Sequence, residues 1–130
     1  SRPDAIPGAD RVARAWEREM LSKFDDLPSR EPISVHYLVL GGVPVAALPF
    51  EGFCAIGKKI RDVLGDTRAL TLGCADELLG YLPTRDDIAR GAYAALESTF
   101  LYHRLPVLPG EAERLGRELG ARLKEEQAHG

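Results

Sequence analysis

The stretch Val43–Lys59 reads VPVAALPFEGFCAIGKK, and RALTLG follows at Arg68–Gly73. Val43–Leu48 is an apolar run of strand length. From Gly52 to Leu64 the spacing changes. Phe53, Ile56, Ile60 and Leu64 share one helical face, while Lys58, Lys59, Arg61 and Asp62 fall outside it. Gly65 stands where a left-handed residue ends a helix. Arg68–Gly73 is strand-like again. Strand, helix and strand joined by more than about a dozen residues make a parallel βαβ crossover.

Upstream, Ile33–Leu40 is a second β-rich run, separated from Val43 by Gly41-Gly42. Two glycines between apolar runs predict a two-residue hairpin, because both positions need positive φ. Pro44 has no N–H, so it predicts an unpaired ladder position. Residues 1–9 carry Pro3, Pro7 and Gly8 and read as an irregular lead-in. Asp10 is placed to cap a helix running to about Phe24, with Val12, Trp16, Met20 and Phe24 as its apolar stripe and Arg11, Arg14, Glu17 and Arg18 on its wet side. Pro28 and Pro32 then end helical structure.

Thr84-Arg85-Asp86-Asp87 has capping-box spacing, with Asp in place of Glu, and predicts a helix to about Leu96. Phe100–Leu108 (FLYHRLPVL) is an apolar connector. Pro109-Gly110 leads into a last helix whose buried stripe is Ala112, Leu115, Leu119 and Leu123, with Gly116 and Gly120 beside it to permit close packing. The expected fold class is α/β: a small mixed sheet, hairpin plus βαβ crossover, packed with about four helices in one domain over residues 1–130.

Composition bounds the function. The chain has 130 residues, 45% of them hydrophobic, and a net charge of −3 without a basic stripe. Nucleic acid is therefore not an expected partner. No apolar run approaches the ~18 residues of a transmembrane span. The chain begins at Ser1 rather than Met and reads as a fragment or a processed product, with its compartment left open. Cys54 and Cys74 are too few for a disulfide framework and read as two buried free thiols. Cys54 as a nucleophile lacks a neighbouring histidine in sequence.

Two oxygen-bearing residues stand out. Glu51 directly follows the second strand, and Tyr81 lies just past the third. If those strands are parallel, both residues reach the carboxyl edge of the sheet, where open α/β folds place ligands. Each also has a plainer role. Glu51 complements a helix N-terminus, worth about 0.3–1 kcal/mol, and Tyr81 packs its ring with the hydroxyl at a wet edge.

Three stretches together resemble the neutral ceramidase family of zinc-dependent amide hydrolases. These are Val43–Lys59; Gly80–Thr84 (GYLPT) with Tyr93 and Ser98-Thr99 after it; and PGEAERL at the entry to the last helix. They span roughly the last ninety residues, and it is their order and spacing that carry the resemblance. It implies that Glu51 and Tyr81 bind zinc, and that the substrate is the N-acyl bond of a lipid such as ceramide. It further implies that two histidine ligands and a reaction-centre serine come from an upstream part of the same enzyme. His36, His103 and His129 lie outside the family's histidine motifs, and Ser98 is not its reaction-centre serine. Phe50 stands where the family has a turn glycine, Asp76 where asparagine is common, and Ala94 where glutamate is common. An inactive, divergent member and a non-catalytic α/β interaction module stay open as alternatives. The isolated 130-residue piece is expected to be inactive.

Overall fold

The computed structural model describes residues 8–26, 30–52 and 54–129. The expected lead-in at residues 1–7, Pro28 and the Phe53 position of the apolar helix face lie outside them. In chain order the elements are α1 (Ala9–Ser22), a 3-10 turn (Phe24–Asp26), β1 (His36–Leu40), β2 (Val43–Ala47), β3 (Glu51–Gly52) and α2 (Cys54–Leu64). There follow β4 (Leu70–Leu72), β5 (Tyr81–Leu82), α3 (Arg85–Ala89), α4 (Ser98–Leu101) and α5 (Glu111–His129). The fold is mixed α/β, with five α-helices among the described residues rather than about four.

β2 is the centre of a three-stranded sheet of order β1-β2-β4. β1 pairs with it antiparallel through a hairpin closed by Leu40 and Val43, with Gly41 and Gly42 at φ 57° and 77°. Pro44 sits opposite Val39, whereas the parallel ladder to β4 begins only at Val45 and Leu70. A two-residue hairpin makes its flanking pair the hydrogen-bonded one, so the next residue's nitrogen turns to the far side. Pro44 therefore points its missing donor where no β4 residue has yet paired. β4 runs parallel to β2, and the crossover helix α2 ends on Gly65 at φ 76°, whose N–H donates to the Arg61 carbonyl at 2.8 Å.

The core lies on one side of the sheet. Ala46 and Leu48 pack with Ile56, Ile60 and Leu64 of α2 and with Ala112, Leu119 and Leu123 of α5. α5 reaches α2 because Gly116 and Gly120 have no side chains. A Cβ on Gly116 would lie 3.2 Å from the Lys59 Cβ, and one on Gly120 2.7 Å from the Val63 Cβ. On the opposite sheet face Val45 and Ala47 of the central strand are buried, but the flanking leucines are open. Leu38, Leu40, Leu70 and Leu72 share that face and are 47%, 70%, 53% and 50% exposed.

Several expectations need correction. Asp10 is not the cap of α1: Gly8, at φ 81°, holds that position without a side-chain bond, and Asp10 lies in the first turn. Phe24 leaves the stripe and is 65% exposed, because α1 ends at Ser22 and the chain tightens into the 3-10 turn. The helix opened at Thr84 stops at Ala89, not Leu96. Gly91 turns left-handed at φ 63° and only the four residues of α4 resume. Both cysteines are exposed rather than buried: Cys54 is the first residue of α2, and Cys74 lies in the loop after β4.

The capping box itself forms as expected. The Thr84 hydroxyl accepts from the Asp87 N–H, and the Asp87 carboxylate accepts from the Thr84 N–H at 3.2 Å and from its hydroxyl at 2.5 Å. Asp87 is buried, and the Thr84 hydroxyl, followed by Arg90, holds its carboxyl below the usual range. Thr84→Ala is expected to cost about 0.5–2 kcal/mol in urea unfolding at pH 7. A depressed folded-state pKa contributes stability above the ordinary Asp value of about 3.9, lost as pH falls through the depressed value. The difference between Thr84→Ala and the parent should therefore shrink below about pH 4; a gap constant down to strongly acid pH would contradict the assignment.

Candidate functional site

Glu51 and Tyr81 meet because two chain segments zip together past the end of the sheet. After β2 the chain runs straight on, while after β4 it bulges out through residues 73–79 and returns. Leu48 N–H donates to the Leu72 carbonyl at 2.9 Å, Ala75 N–H to Leu48 at 3.0 Å and Cys74 N–H to Phe50 at 3.0 Å. Leu79 N–H donates to Pro49 at 2.7 Å and Glu51 N–H to Gly80 at 2.9 Å. Gly73 is needed in this seam, since a Cβ there would stand 2.7 Å from the Phe50 carbonyl oxygen. Cys74 and Asp76 take φ 56° and 63° in the bulge, a conformation uncommon outside glycine. The result is a short parallel ladder in which Glu51 is the register partner of Tyr81 and Gly52 that of Leu82. Phe50, the residue before Glu51, is buried in the core cluster.

The side chains converge as well as the backbones. Tyr81 is hydrogen-bonded to the Glu51 side chain. A third residue joins them: the Tyr102 hydroxyl donates to Glu51 Oε1 at 2.8 Å. The Tyr81 ring stands edge-to-face with Tyr102 at 6.2 Å and with Tyr93 at 6.1 Å. Glu51, Tyr81 and Tyr102 are all half-buried. The hydrogen bond to Glu51, then burial, raises the Tyr81 phenol above its ordinary value, and the same causes push Tyr102 up to about 12. Both rings are therefore neutral donors to one carboxylate across the neutral range. Tyr81 and Tyr102 also line a cleft of about 1550 Å³, whose wall includes Tyr37, Phe50, Leu82 and Leu119.

Sequence reasoning missed Tyr102. It falls in the segment read as an apolar connector, and no spacing rule links position 51 to position 102. The other candidates lie elsewhere. His36 pairs with Asp76, His103 with Glu19 at 2.9 Å, and His129 with the Glu125 carbonyl at 2.7 Å. Ser98 is buried and donates to the Ala94 carbonyl at 2.9 Å, a local helix-end bond.

No family model, curated protein or solved structure matches this chain. A carboxylate with one oxygen engaged by Tyr102, next to a phenol, is a suitable pair of oxygen ligands for zinc. Among the described residues no group of three or more His, Cys, Asp and Glu side chains comes together to hold a metal. By themselves these two oxygens fall short of the four donors of a structural zinc site or the three protein ligands of a catalytic one. No helix of the described residues is long and apolar enough to cross a membrane.

Proposed function

We propose that this chain is the carboxy-terminal part of a zinc-dependent hydrolase of lipid N-acyl bonds, of the neutral ceramidase kind, and that Glu51 and Tyr81 are two of its metal ligands. The observation that carries the reading is the register pairing of Glu51 with Tyr81, side chains hydrogen-bonded, at the start of a short parallel ladder beyond the carboxyl ends of the parallel strands β2 and β4. That is where α/β sheets assemble ligand sites. Zinc bound there supplies Lewis-acid chemistry for amide hydrolysis. The chain's own contribution is positional. The seam of backbone bonds between residues 48–51 and 72–80 fixes both donors on one short ladder, so little ordering entropy remains to be lost when a ligand binds. The remaining ligands and the reaction-centre serine are assigned to an upstream part of the same enzyme.

The test uses the full parent chain, with zinc measured by elemental analysis and by chelator competition. Glu51→Gln and Tyr81→Phe are each expected to weaken binding by more than the ~10–100-fold that loss of an outer-shell partner costs. Near-stoichiometric zinc surviving both changes would rule the assignment out.

A second reading, a non-catalytic interaction module, draws on the open sheet face of Leu38, Leu40, Leu70 and Leu72. A sheet apolar on both sides ordinarily buries both. Under this reading the parent binds no zinc, and the same measurement separates the two.

A further inference from the structure

Tyr102 is joined to the Glu51 site by two separate contacts. Its hydroxyl donates to Glu51 Oε1 at 2.8 Å. Its ring lies over Gly80, where an added Cβ would stand 3.0 Å from two of the ring carbons, and Gly80 holds φ 89° beneath it. Gly80 in turn accepts the Glu51 N–H and directly precedes Tyr81. One side chain thus presses on the backbone that carries Tyr81 and holds one oxygen of Glu51. Tyr102 itself is set by the short helix α4, its N–H donating to the Ser98 carbonyl at 3.2 Å, with Ser98 and Phe100 buried.

We infer that Tyr102 is a positioning residue for the metal site: its hydroxyl holds Glu51 Oε1 and so fixes the carboxylate in one orientation before a metal would bind. The inference rests on the ligand reading above. A free glutamate samples several rotamers and both carboxylate oxygens, and fixing them beforehand removes that entropy from the cost of binding. Hydrogen bonds to ligating carboxylates serve this purpose in metal sites generally. The arrangement separates two contributions of Tyr102, since the ring alone covers Gly80 and the hydroxyl alone reaches Glu51.

The experiment is zinc affinity by chelator competition in the full parent chain, for the unmodified protein, Tyr102→Phe, Glu51→Gln and Tyr81→Phe, with thermal unfolding of each. Tyr102→Phe keeps the ring over Gly80 and removes the hydroxyl. It should weaken zinc binding about 10–100-fold, while the unfolding midpoint of its zinc-free form falls by no more than the loss of one hydrogen bond explains. In the Glu51→Gln background the same change should have no further effect on zinc. Affinity unchanged in Tyr102→Phe while Glu51→Gln and Tyr81→Phe lose zinc would overturn the positioning role alone. Zinc retained by all three variants would overturn the ligand reading and this inference with it. A zinc-free midpoint lowered well beyond the loss of one hydrogen bond, or an affinity loss that persists in the Glu51→Gln background, would overturn the positioning role in favour of a structural one.

Discussion

Ile60→Ala should destabilise this chain by about 2–5 kcal/mol, the range for truncating a fully buried branched side chain. Ile60 is 0% exposed and lies in the cluster that joins Ala46 and Leu48 of the central chain to Leu119 and Leu123 of α5. Its loss removes apolar burial and leaves a cavity between α2 and its neighbours. The site can relax little, because Gly116 and Gly120 already bring α5 against the backbone of α2: a Cβ on Gly120 would lie 3.1 Å from the Ile60 carbonyl oxygen. Urea unfolding measures the effect, and a loss below ~1 kcal/mol would mean that this layer is not the core.

Gly120→Leu is expected to cost about 3 kcal/mol, at the upper end of overpacking. Two effects oppose each other. Replacing a mid-helix glycine with leucine favours the helix by somewhat under ~1 kcal/mol. Against that, the first added carbon already lies 2.7 Å from the Val63 Cβ, an atom fixed to its backbone rather than the far end of a flexible chain. The rest of the leucine has no room unless α5 lifts off α2, which would expose Ala112, Leu119 and Leu123. Steric exclusion outweighs propensity, so the variant should unfold at lower temperature even though its isolated helix is stronger. A variant as stable as the parent would show that α5 does not dock through this glycine face.

Much of the architecture was legible in the residues. Gly41-Gly42 specified the hairpin because few other pairs accept two positive φ angles. The four-residue spacing of Ile56, Ile60 and Leu64 marked the buried face of α2, and Gly65 marked its end. Thr84 and Asp87 marked a helix start but not its length, since a cap satisfies N–H groups at one end only. The early stop at Gly91 needed the conformation the folded chain imposes there. The cysteines were misread for a related reason: average burial of a residue type does not say which side of α2 Cys54 occupies or that Cys74 lies on a bulge.

The site divides along the same line. The sequence by itself determined that a glutamate follows one strand and a tyrosine follows another, that the two strands are joined by a helix long enough for a parallel crossover, and therefore that both residues belong near one sheet edge. Those are consequences of local periodicity and chain length. Only the tertiary structure decided that the bulge at residues 73–79 returns the chain to make Glu51 and Tyr81 register partners, and that Tyr102 completes the group from fifty-one positions away along the chain. Hydrogen bonds of that reach are selected by the packing of whole elements, and no periodicity in the chain encodes them.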